Sequence, residues 1–64
     1  MEWREINCII EALEALLGKY EVQLADENLD EDTRADVSSD HGYAKILLSN
    51  YYNQRDAMLH SDKT

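Results

Sequence analysis

Between Trp3 and Leu24, apolar residues recur at intervals of three and four: Trp3, Ile6, Ile10, Leu13, Leu17, Tyr20 and Leu24. At about 3.6 residues per turn, that spacing places all seven on one side of an α-helix. Ile9 and Leu16 flank the stripe and widen it. This feature constrains the chain more than any other, because a helix with so broad an apolar side has to be covered by something. The pattern predicts a first helix over about residues 3–27, with Leu13 at the centre of its buried side and Trp3 near one margin. Glu2 and Glu5 sit where negative charge interacts favourably with the exposed amides of a helix start. Gly18 lies off the centre of the buried side and should cost roughly 1 kcal/mol of helix propensity relative to Ala.

The periodic pattern stops after Glu27, and residues 28–32 are mostly polar: Asn28, Leu29, Asp30, Glu31 and Asp32. Thr33 offers an N-cap hydroxyl with Asp36 where a capping box carries its Glu or Gln, and Asn28 with Glu31 is a competing frame. Either frame leaves a short connection, and helices joined by a short connection pack antiparallel. A second helix is therefore expected over about residues 33–60, similar in length to the first. Centred on Leu48, its inner side holds Val37, His41, Ala44, Tyr51, Tyr52, Arg55 and Leu59, with Leu47 and Met58 towards one edge. The run Ser38, Ser39, Asp40, His41, Gly42 is its weak stretch, and a helix starting only after Ser39 is the alternative. Residues 61–64 are expected to fray.

A chain of 64 residues makes one domain, close to the size at which a single core is barely sufficient without a disulfide, a metal or a second subunit. Cys8 is the only cysteine, so no intrachain disulfide can form. Neither a CxxC nor an HxxxH spacing occurs, which argues against a structural metal. No cofactor is implied. Oligomerisation is the remaining source of stability. Two helices side by side would leave the flanking Ile9, Leu16, Leu47, Tyr51, Tyr52 and Met58 partly wet, and contiguous apolar surface of that kind normally marks an interface. Burying about ten further large side chains across a dimer would contribute on the order of 15 to 25 kcal/mol before association costs. The expected architecture is all-α: an antiparallel helical hairpin that dimerises with two-fold symmetry into a four-helix bundle. Its expected dimer interface comprises Ile9, Leu13, Leu16, Tyr20, Leu48, Tyr51, Tyr52 and Arg55. Arg55 on the inner stripe must either snorkel to the edge or pair, and Glu residues of the first helix or of the second subunit are plentiful partners.

Fourteen Asp and Glu against six Lys and Arg give a formal net charge of −8. Residues 1–40 hold 12 of the acids and 3 of the bases. That sign disfavours direct contact with a phosphate backbone or an anionic membrane surface and favours a basic protein partner. No apolar stretch approaches the roughly 18 residues that span a bilayer, and no basic leader precedes an apolar run. A cytoplasmic setting follows as the expectation from these features and the single cysteine.

Two surfaces are left over for function. Tyr43 and Ile46 fall on the outward side of the second helix, with Lys45, Asn50 and Asn53 around them, and form a candidate docking spot for another protein. Asp30, Glu31, Asp32 and Asp36 belong to an acidic run beginning at Asp26 that offers carboxylates to a basic surface. Equally, scattered apolar residues and charge runs are ordinary solvated surface. The acidic run lacks the DxDxDG spacing of a calcium loop. His41, beside Asp40, has no Ser or Cys placed to act with it on its own helix, and a seam role is the simpler one. These features predict a non-enzymatic interaction or regulatory module that works as a homodimer. The alternatives are an acidic inhibitor of a nucleic-acid-binding protein and a metal-dependent helical enzyme using His41, Asp40 and carboxylates at a subunit interface.

Overall fold

In the computed structural model, which describes residues 2–61, the chain is an all-α antiparallel hairpin of two helices. Helix α1 spans Trp3–Leu24 and α2 spans Glu31–Ser61, and together they form a rod 53 Å long and 15 Å across. The helices are unequal, at 22 and 31 residues, rather than matched as the sequence pattern suggested. Part of α2 therefore runs beyond the end of α1, beside the connection. The long α2 passes without a break through Ser38, Ser39, Asp40, His41 and Gly42, so the later start after Ser39 does not occur. The tail expected to fray beyond Ser61 lies outside the described residues.

Both helix boundaries at the connection differ from the expected ones, and the causes are visible. Helix α1 ends at Leu24, three residues before Glu27. The Asp26 carboxylate accepts the Asn28 backbone N–H at 3.0 Å and turns the chain out of the helix. No left-handed residue is needed, because Ala25 stays in the right-handed region at φ −77°. The freed carbonyls are taken up from the other helix: Arg34 donates through Nη1 to the Leu24 carbonyl at 2.6 Å and through Nη2 to the Asp26 carbonyl at 2.7 Å. The last turn of α1 carries no base of its own, so the Arg34 guanidinium supplies the positive charge that a helix C-terminus favours.

Helix α2 is capped by neither Thr33 nor Asn28. Asp30 is the cap: its carboxylate accepts the Thr33 backbone N–H at 3.2 Å, and its carbonyl accepts the Arg34 N–H at 2.9 Å. Glu31 and Asp32 fill the first turn with the sign that the helix dipole favours there.

The main core consists of Ile6, Ile10 and Leu17 from α1 against Ala44 and Leu48 from α2. Val37 is buried apart from that cluster. Ile6 and Ile10 are the most enclosed side chains, at 0% and 2% exposure. Leu13, expected at the centre of the buried side, is half-buried and packs at the edge of this cluster. The centre of contact therefore sits to one side of the apolar stripe, because a single neighbouring helix covers only about half its width.

Gly18 and Gly42 both lie within helices, and a methyl group added to either meets nothing within 4 Å. Replacing each with Ala should raise stability by about 1 kcal/mol, since the helix backbone is already compatible and only unfolded-state freedom is lost. Urea melts of the Gly18→Ala and Gly42→Ala chains check this, and an unchanged midpoint in both would contradict the continuous helices.

Candidate interaction site

Asn7, Glu14 and Glu21 recur every seven residues along one margin of α1, and each meets a side chain of α2. Arg55 donates through Nη1 to the Asn7 side-chain oxygen at 2.9 Å, and its guanidinium carbon lies 5.3 Å from the centre of the Tyr52 ring. The Asn7 amide nitrogen in turn donates to the Trp3 carbonyl at 3.0 Å. Of the two courses open to Arg55 it pairs, and its partners are an amide and an aromatic face rather than a Glu of α1. The antiparallel register sets residue 55 level with residue 7, and no Glu of α1 stands at that height on that margin. His41 Nε2 stands 3.6 Å from the Glu21 carboxylate, which makes an ion pair when the imidazole is protonated.

The Tyr52 hydroxyl donates to the Glu14 carboxylate. That bond, together with dehydration and the Glu14 charge, holds the phenol above its ordinary value of 10.0 against the opposing pull of Arg55. Losing the proton breaks the bond and sets a phenolate against a carboxylate. The contribution of Tyr52 to stability is therefore complete below the ordinary phenol value and is lost as pH rises through the raised one. As pH rises through and beyond the ordinary phenol value of 10.0, the wild-type urea midpoint should fall further than that of Tyr52→Phe. Parallel curves for the two chains would contradict the bond.

The opposite margin of the hairpin is apolar. On α1, Ile9, Leu13, Leu16 and Tyr20 lie on the side of the core line away from Asn7, Glu14 and Glu21, given about 100° per residue. On α2, Leu47, Tyr51 and Met58 lie on the side of Leu48 away from Tyr52. The polar margins of the two helices meet, so the apolar margins of an antiparallel pair must meet as well. All seven side chains are half-buried, and Leu13, Leu16, Tyr20, Tyr51 and Met58 pack against the core from this side. Tyr43 stands one turn before Leu47 on the ridge Tyr43, Leu47, Tyr51 and extends the patch with a side chain that is 65% exposed.

The residues expected at a subunit interface thus divide three ways. Ile9, Leu13, Leu16, Tyr20 and Tyr51 share the apolar side. Leu48 is enclosed between the two helices of a single chain. Tyr52 and Arg55 belong to the polar margin, facing away from the others. Among the expected partner-binding residues, Ile46 is 63% exposed and points directly away from α1, and Tyr43 borders the apolar side. Asp30, Glu31, Asp32 and Asp36 are exposed around the connection, Asp30 being engaged as the cap of α2.

Four residues with defined roles escape the sequence reading: Arg34, Asn7, Glu14 and Glu21. For Arg34 there was a signal, because it is the only Lys or Arg between Lys19 and Lys45. Asn7, Glu14 and Glu21 offered only their heptad spacing.

Among the described residues, no group of three or more His, Cys, Asp or Glu side chains converges as metal ligands do. A hollow beside Glu2, Trp3 and Arg4 is open to solvent rather than enclosed. No helix among the described residues is long and apolar enough to cross a membrane. The chain matches no protein-family profile, no curated protein and no solved structure. Its own geometry therefore carries the functional argument.

Proposed function

We propose that the chain is a small, acidic, non-enzymatic protein-interaction module that works as a homodimer, two hairpins stacking through their apolar sides into a four-helix bundle. One observation carries this reading: the half-buried apolar residues of both helices gather on the same side of the hairpin, while the polar cross-helix contacts gather on the other. A side of that composition is only half covered by its own chain, and a self-complementary patch is what a two-fold interface uses. The small core within one hairpin supports the same reading, since a single core of this size is barely sufficient.

In such a dimer Ile46 and the acids around the connection remain outward and form the docking surface for a further, basic protein partner. The exposed thiol of Cys8 suits a reducing compartment, and we place the protein in the cytoplasm on that ground. Sedimentation equilibrium of the purified chain at micromolar concentration should return twice the chain mass of 7.4 kDa. A folded monomer at that concentration would overturn the proposal.

A further inference from the structure

The geometry points to one arrangement of the dimer: the hairpins stack antiparallel about a two-fold axis that crosses the rods near Leu13, with their connections at opposite ends. This inference rests on the homodimer proposed above, and two separate observations carry it.

The first is taper. The cross-helix pairs set the level of the two helices, residue 7 with 55, 14 with 52 and 21 with 41. On that register the apolar side carries Tyr20 and Tyr43 towards the connection, Leu13 and Tyr51 midway, and Ile9 and Met58 towards the open end. Turning a second copy end for end sets the bulky tyrosine end of one hairpin against the slimmer aliphatic end of the other, and the middle against itself. A parallel stack would crowd four tyrosine rings at one level and leave a thin region at the other. Dense cores form where large side chains face small ones.

The second is charge. Residues 19–45, at the connection end, carry eight carboxylates against Lys19, Arg34 and Lys45. Residues 2–11 and 50–61, at the open end, carry four carboxylates and two guanidiniums. A parallel stack would hold the two strongly negative ends within about one to two screening lengths of each other, each about 8 Å at physiological ionic strength. Like charges placed across an interface select against that mode. The antiparallel stack sets each acidic end beside a less acidic one. Both stacks bury the same apolar side, so hydrophobic burial does not choose between them, and taper and charge do. The resulting rod bears an acidic connection at either end.

Intermolecular spin-label distances test the arrangement on the full chain carrying Cys8→Ser and Asn28→Cys. Asn28 enters the turn through its backbone N–H, so the labelled side chain leaves that bond in place. With the label about 15 residues from the axis on each copy and a rise of about 1.5 Å per residue, the expected distance is roughly 40 to 50 Å. A label at Glu31→Cys, also exposed, repeats the measurement and guards against a local defect at residue 28. A dominant distance below about 25 Å in chains that sediment as dimers would overturn the antiparallel stack and leave the homodimer standing. A monomer mass with no intermolecular distance would overturn both.

Discussion

Ile10→Ala should lower the unfolding free energy by about 2 to 4 kcal/mol, the range for deleting a fully enclosed branched side chain that its surroundings cannot refill. Ile10 is 2% exposed and belongs to a main cluster of only five buried side chains. In a chain this small such a loss is comparable to the whole stability supplied by one core, so much of the helical signal at room temperature should disappear. Ile6→Ala should behave alike. Val22→Ala, at a position 74% exposed, should fall within about 0.5 kcal/mol of the parent chain. Circular dichroism in urea at one fixed chain concentration makes the comparison, because association ties apparent stability to concentration. A loss below 1 kcal/mol for both isoleucines would mean that the centre of contact between the helices lies elsewhere.

Leu16→Glu should weaken the dimer by at least about a hundredfold, since it sets a charge inside the contact and opposite the same charge on the second copy. Leu16 is half-buried on the apolar side, so the change disturbs the interior of one hairpin less than it disturbs an interface. Ile46→Glu is the matched control: the same chemical change, on the same rod, at a side chain pointing away from α1. Its sedimentation should be that of the parent. Dissociation by Ile46→Glu but not by Leu16→Glu would assign the interface to the wrong side of the hairpin. Because a lone hairpin buries so few side chains, the Leu16→Glu chain should also lose helix content on dilution, a second readout of the same coupling.

The two expectations differ in what they probe. Ile10 tests contacts within one chain, where it lies enclosed between the two helices. Leu16 tests whether the remaining apolar surface is used by a second copy. A chain that tolerated Leu16→Glu but not Ile10→Ala would be a self-sufficient hairpin, and its apolar side would then belong to some other partner.

Much of the hairpin was legible in the residues themselves. Seven apolar residues at three- and four-residue spacing specify a helix because only that geometry puts them on one side. The absence of proline and the polar break before Thr33 specify two helices and a short turn. The outward position of Ile46 follows from the same angular arithmetic. Helix ends were less legible. Leu24 terminates α1 with carbonyls that Arg34 reaches across the chain reversal, a contact between residues ten apart that no local pattern encodes. Asp30 outcompetes Thr33 as the cap of α2 because its carboxylate already faces the first turn once Asp26 has bent the chain.

By itself, then, the sequence determined that there are two helices and which residues of each can be buried, because helical periodicity depends only on backbone geometry. Tertiary structure alone decided which half of the broad stripe the second helix covers, centring contact on Ile6, Ile10 and Leu17 rather than on Leu13. It also decided that Arg55 meets Asn7 and that Tyr52 meets Glu14. The physical reason is common to both: a stripe wider than one neighbour can be approached from several angles. Only the register and rotation of two helices packed together select the side that is closed and the side left open.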